Sequence, residues 1–308
     1  MKNTLRRFFY SAAPRAYYSI LLNSFGFNVI RTVFYNLLWR IKNKSGQNFS
    51  DPAIEALEKD GVVVIENFLS KEDYSKLMDL YEKGDMVDKY GDNPSVPQYK
   101  YRQISTPLKL YDEELSNIIL NNERLRTIIT ATSRKKINVY PKMTLEQFYA
   151  SNENQLNGAS PDHSDVLHYD VPFNSMRAFL YIKPCDKDTA AFIYGKGTHK
   201  FSKKRLKFEY FDSIKQSVKR RAFRSAPLDF IDEDLLGDIG YEPSHLEGKG
   251  NTLVIFNSMG VHKRGKFHKI GGREALLIDY RTLDTPLNFV SGMPVIGTAF
   301  KRYLKRFV

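Results

Sequence analysis

The chain of 308 residues contains one cysteine, Cys185, so no intrachain disulfide can form. A lone thiol suits a reducing compartment. Its setting, YIKPCDKD, has no helix start and no Cys/His neighbour to activate it, which reads as a structural cysteine. There is also one tryptophan, Trp39, which suits a membrane interface or simple packing. Long apolar runs are missing. The longest uncharged stretch of the N-terminal segment, Ala16 to Ile30, has 15 residues and is broken by Asn and Gly. A spanning helix needs roughly 20 apolar residues. An apolar core followed by a small-residue cleavage site is also lacking, which argues against a signal peptide.

Acidic residues are missing from both ends. Residues 1–50 hold eight Lys or Arg and no acid, and residues 285–308 hold four and no acid. The net charge is +12, so residues 51–284 carry 35 basic and 35 acidic side chains and are neutral as a body. Both ends are also amphipathic. Phe27, Ile30, Phe34, Leu37, Leu38 and Ile41 recur at helical spacing, as do Ile296, Phe300, Tyr303, Leu304 and Phe307 among Lys301, Arg302, Lys305 and Arg306. Such segments are expected to lie on an acidic membrane surface, or else to dock on the protein's own core. The expected location is cytoplasmic and peripherally associated with the membrane.

Three regions follow: a basic amphipathic segment over 1–50, a catalytic-sized domain over 51–284, and a basic amphipathic tail over 285–308. The domain opens with a predicted helix, a strand over Val62–Phe68, and a second helix capped by Ser70 and Asp73. From about Ile137 the pattern changes to short strands punctuated by Gly, Pro, Asn and Asp: INVYP, LEQFYA, VLHYDVPF, RAFLYIK, AAFIYG, NTLVIFN and EALLIDYR. A basic, more helical insertion occupies Phe201–Gly240. Many short strands preceded by helices imply an α+β chain with a barrel or sandwich-like core.

The strand VLHYDVPF carries His168 and Asp170 two positions apart. Residues at that spacing point to one side of a strand, so the pair can offer two ligands to one metal ion. Two histidines and one carboxylate on a triangular face leave open positions on iron for a co-substrate and O2. A third ligand must come from a neighbouring strand. His262, just after the apolar run NTLVIFN and a short turn, fits that role. His163, beside carboxylates in SPDHSD, is the rival ligand.

The order of these motifs resembles the phytanoyl-CoA dioxygenase family of Fe(II)/2-oxoglutarate-dependent oxygenases. GVVVIENFLSKEDYSKL is similar to that family's opening strand and helix, LHYD to its HxD pair, and YGKGTHK to its PGSHK element. KGNTLVIFNSMGVH is similar to the strand leading to its distal histidine, and GGREALLIDYR to the strand bearing its 2-oxoglutarate arginine. The resemblance covers roughly residues 55–284. It implies a double-stranded β-helix (jelly-roll or cupin-like) with supporting helices. It also implies Fe(II) held by His168, Asp170 and His262, and 2-oxoglutarate held by Arg273, eleven positions after His262. Arg273 would share its strand face with Ala275 and Leu277. Gln147 or Tyr149 is expected to assist from the preceding strand. Thr189–Ala190 and Lys196 depart from the family's Asn-Gly and Pro. Arg264 stands where a small hydroxyl residue is common, and could pair with the co-substrate or with an anionic substrate.

The expected activity is therefore hydroxylation of a C–H bond. The basic insertion and the basic ends favour an anionic lipid-linked or glycolipid substrate, for example an acidic lipopolysaccharide sugar. Two other classes compete: a catalytically silent barrel that binds membranes, and an oxygenase acting on nucleic acid. The charge and the 13% aromatic content admit a nucleic-acid partner. Confinement of the excess charge to amphipathic ends, rather than a groove-like stripe, disfavours it.

Overall fold

The structure is a computed structural model that describes residues 18–41, 50–105, 113–133, 141–157, 163–222, 231 and 233–280. Eight helices are described: α1 (Ile20–Ser24), α2 (Phe27–Ile41), α3 (Pro52–Asp60), α4 (Lys71–Glu82), α5 (Glu113–Leu120), α6 (Glu123–Ser133), α7 (Glu153–Asn157) and α8 (Lys203–Ala222). The strands are β1 (Val62–Ile65), β2 (Val87–Asp88), β3 (Gln98–Ser105), β4 (Lys142–Ala150), β5 (Met176–Tyr181), β6 (Phe192–Gly195), β7 (Pro243–Leu246), β8 (Thr252–Asn257), β9 (His262–Arg264) and β10 (Gly271–Asp279).

A large sheet runs β1-β8-β5-β10-β4-β3-β2 and a small one runs β7-β6-β9. Their strand pairs are all antiparallel. An isolated pairing of His168 with His262 lays the chain around His168 along the free edge of β9. From β4 onward the chain crosses between the sheets in the order large, small, large, small, small, large, small, large, counting the His168 segment as small. That alternation is the double-stranded β-helix.

Each face of the large sheet has its own apolar set because side chains alternate along a strand. Leu145, Leu180, Ile255, Leu276 and Ile278 point outward and pack with Leu57, Leu77, Leu115 and Ile128 of the covering helices. Phe179, Tyr181, Val254, Phe256 and Ala275 point inward and meet Phe192 and Tyr194 of the small sheet. Ala275, with Leu277 packed beside it, thus shares the inner face expected for them.

Local signals explain the element ends. Asp51 caps α3 by accepting from the Ala53 N–H at 2.9 Å, and Gly61 ends it with φ +78°. Ser70 caps α4 by accepting from the Asp73 N–H at 3.0 Å. Strand β1 stops at Ile65, earlier than the expected Phe68, because Asn67 turns the chain with φ +48°. The insertion is helical over α8, as expected.

The N-terminal helices reverse the usual amphipathic arrangement. Asn23, Asn28, Arg31, Thr32 and Asn36 are the buried side, while Leu21, Phe25, Ile30 and Leu37 are 68, 78, 58 and 50% exposed. The polar side faces α8, where Asn23 Nδ2 donates to Ser217 Oγ at 2.8 Å and Ser213 O at 3.3 Å. Among the described residues no helix is long and apolar enough to cross a membrane. The C-terminal amphipathic segment, the INVY of INVYP and residues 1–17 lie outside the described residues.

Candidate metal centre and co-substrate pocket

His168, Asp170 and His262 converge. One ligand atom from each lies within 4.8 Å of the others. Asp170 Oδ1 is 3.9 Å from His168 Nε2, and Oδ2 is 3.6 Å from His262 Nε2. Backbone pairing builds this arrangement. His168 and His262 exchange N–H···O=C bonds of 3.0 and 2.8 Å, and the Asp170 N–H donates to Ser258 O at 2.9 Å. The two imidazoles are thus held face to edge, 4.4 Å between centroids.

The ring tautomers follow from their partners. His168 Nδ1 lies 2.7 Å from Val166 O, and His262 Nδ1 lies 2.8 Å from Gly260 O. A carbonyl only accepts, so each Nδ1 carries the proton and donates. In the neutral rings each Nε2 then presents its lone pair toward Asp170. Two imidazole nitrogens and one carboxylate, nearly buried and aimed at a common point, are a donor set that fits a divalent metal ion. The side chain of His163, the rival ligand, lies outside the described ones.

A cavity of about 210 Å³ opens over this cluster. Arg273, 5% exposed, enters it from β10, with Cζ 5.1 Å from the Phe179 ring centroid. Lys89, Arg177, Lys263 and Arg264 also line it, against one carboxylate, Glu146. The excess of cations suits anionic occupants. Arg264 lies over the Phe148 ring, Cζ to centroid 3.8 Å, with Nη1 3.7 Å from Asp165 Oδ1. Glu146 accepts from Tyr99 Oη at 2.5 Å. Burial, then the charge of Glu146, push the Tyr99 hydroxyl well above the usual phenol range, so it stays a donor.

Gln147 and Tyr149 do not line this cavity. Arg273 pairs with Phe148, and its neighbour Glu274 pairs with Gln147, so odd positions of β4 face the other side of the sheet. There Gln147 Nε2 donates to Glu274 Oε1 at 3.2 Å, and the Tyr149 hydroxyl donates to Gln98. Glu146 is the β4 side chain that lines the cavity.

Sequence reasoning missed Arg177. Its Nη1 donates to Asp170 Oδ2 at 3.0 Å, and its Nε lies 3.6 Å from Asp279 Oδ2. The signal was a charged residue at an inward position of the otherwise apolar strand MRAFLY. Cys185 is 2% exposed, and burial pushes its thiol up to about 11, which suits a structural role. His199 lines a second cavity, of about 390 Å³, beside Asn36 and Trp39 of α2.

Fold and site together define a jelly-roll barrel whose His-Asp-His cluster sits under a cationic pocket. No protein-family model matches the chain, and no curated protein matches it. Among solved structures, the non-heme alpha-ketoglutarate-dependent carbocyclase SnoK from nogalamycin biosynthesis is 15% identical. The match covers 76% of this chain and 84% of that one, with a TM-score of 0.48. The epimerase SnoN from the same biosynthesis is 10% identical over 74% and 81% of the two chains, TM-score 0.47. HygX from Streptomyces hygroscopicus, with nickel and 2-oxoglutarate bound, is 14% identical over 75% and 87%, TM-score 0.43.

Proposed function

We propose that the protein is an Fe(II)/2-oxoglutarate-dependent oxygenase that hydroxylates a C–H bond of an anionic, lipid-linked substrate. The observation that carries this reading is the convergence of His168, Asp170 and His262 under a cavity that also holds Arg273. The ordered motifs that resemble those of phytanoyl-CoA dioxygenases support the same chemistry.

In this reading His168 and His262 offer Nε2, and Asp170 a carboxylate oxygen, to the metal. Their Nδ1–H bonds to Val166 O and Gly260 O hold the rings in the ligating tautomer. Arg177 holds Asp170 through Oδ2. Arg273 grips the far carboxylate of 2-oxoglutarate, since a planar guanidinium can donate two parallel hydrogen bonds to it. Apolar neighbours Phe179 and Leu277 limit water around that ion pair. Lys89, Lys263 and Arg264, which line the same cavity, would face the anionic group of the substrate. Iron held by His168, Asp170 and His262, with 2-oxoglutarate on Arg273, would supply the oxidation of the C–H bond by O2, with succinate and CO2 as the co-products.

Anaerobic reconstitution with Fe(II) and 2-oxoglutarate, followed by oxygen and a screen of anionic lipid extracts, tests the reading. Extract-dependent succinate release with a hydroxylated lipid product is expected. Turnover stimulated only by neutral or soluble compounds would remove the lipid-linked assignment.

A further inference from the structure

The helices α1, α2 and α8 form a surface whose polarity is inverted for a water-exposed face. A helix docked on a soluble domain normally buries its apolar stripe and shows water its polar one. Here the buried side of α1 and α2 is largely polar: Asn23, Asn28, Arg31, Thr32 and Asn36, with Tyr35 as the buried aromatic among them. It meets a polar side of α8 that includes the buried Asp212, Ser213, Gln216 and Ser217. Asn28 Nδ2 donates to Asn23 Oδ1 at 2.8 Å, and the Tyr210 hydroxyl donates to Ser24 O at 3.1 Å. Polar contacts thus carry the docking on α8, while Tyr35 packs on Val171 and Phe173.

The consequence appears on the outside. Leu21, Phe25, Ile30 and Leu37 of the α1–α2 segment are at least half exposed, and Phe211 and Val218 of α8 are 43 and 48% exposed. Phe211 and Val218 are seven positions apart and share one helix stripe. Single exposed apolar residues are ordinary, but several together on one unit mark an interaction surface. Lys203, Lys204, Lys219 and Arg221 are exposed on α8 as well. Exposed apolar side chains on a unit that also carries exposed cations are complementary to a bilayer with anionic headgroups. Acyl chains take the former and phosphates pair with the latter.

We infer that this face docks on an anionic bilayer, with Leu21, Phe25, Ile30 and Leu37 entering the headgroup–acyl boundary and the α8 cations on its phosphates. The inference goes beyond the oxygenase reading and does not depend on it, because none of these residues touches the metal cluster. The distinction from a purely basic tail is specific. Charge alone would leave binding to the Lys and Arg residues, whereas this geometry requires the exposed apolar side chains.

The test is flotation of the full-length protein with phosphatidylglycerol–phosphatidylcholine vesicles and with pure phosphatidylcholine vesicles. The wild type is expected to float with the anionic vesicles and to release as salt rises. The double variant Leu21→Gln/Phe25→Gln removes two exposed apolar groups and no buried contact. It is expected to bind about a hundredfold more weakly or less, with an unchanged circular dichroism spectrum. The His262→Ala variant is expected to float like the wild type, which separates docking from metal-dependent turnover. Wild type that ignores anionic vesicles at low salt overturns the inference. So does a double variant that floats normally, since the basic segments alone would then suffice. A concentration-dependent dimer lost in the double variant, without vesicle binding, would assign the face to a second copy of the chain and overturn it too.

Discussion

Arg177 Nη1 lies 3.0 Å from Asp170 Oδ2, the oxygen that also faces His262 Nε2 at 3.6 Å, while Oδ1 is the one that faces His168 Nε2. The carboxylate of the metal cluster is therefore fixed before any ion arrives. Replacing Arg177 with Met frees Asp170 to rotate. Fe(II) affinity measured by anaerobic calorimetry is expected to fall about 10–100-fold, with the fold retained. Arg177→Lys should recover part of it. Unchanged or tighter binding in Arg177→Met would show that the guanidinium does not orient Asp170.

Arg273 is set apart from the three ligands, so metal and co-substrate binding should separate. Arg273→Ala is expected to abolish 2-oxoglutarate binding at millimolar concentration while leaving Fe(II) affinity within about threefold, since it removes a charge partner and no ligand. Normal 2-oxoglutarate affinity in this variant would pass the role to Arg264, the second arginine of the cavity.

Gly61 has φ +78°, and a Cβ there would collide with the imidazole of His199 and the hydroxyl of Tyr194. Gly61→Ala combines left-handed backbone strain with a clash inside a packed region. A loss of about 2 kcal/mol or more in urea unfolding is expected. A loss under about 0.5 kcal/mol would mean that His199 and Tyr194 yield easily.

His199 gives a pH signature. Burial lowers its pKa from 6.5 to about 4. The unfolded chain thus binds a proton that the folded one refuses between those values. Stability is complete above about pH 6.5 and declines as pH falls toward 4, by on the order of 3 kcal/mol. In His199→Asn the urea midpoint should lose much of its decline between about pH 6.5 and 4.5. An equally steep decline in the variant would place the acid sensitivity elsewhere.

Much of this arrangement was legible before the structure. The HxD spacing marked His168 and Asp170, although the expected strand VLHYDVPF reduces to an isolated bridge between His168 and His262. The apolar run before His262 marked a central strand, and the cap at Ser70 was local chemistry. Facing was harder. Gln147 and Tyr149 were expected beside the co-substrate, yet they are one residue out of phase with Glu146. That phase is set by cross-strand register: Arg273 opposite Phe148 turns every odd position of β4 away. Register joins residues more than a hundred positions apart, and one strand's pattern does not contain it. Arg177 escaped notice for a similar reason, since its carboxylate partners come from another strand and a loop. The α2 face was legible as amphipathic, but not in which direction it would point. That depended on the polar side of α8, an element 160 residues later.

The most direct measurement of the central claim is oxygen-dependent conversion of 2-oxoglutarate to succinate by the anaerobically Fe(II)-loaded protein, with His262→Ala and Arg273→Ala alongside. The account expects one Fe(II) per chain, succinate formed only with both iron and O2, and loss of succinate in both variants. It further expects Fe(II) binding lost in His262→Ala alone. Wild-type protein that binds no Fe(II), or that forms succinate equally well in the two variants, would contradict it.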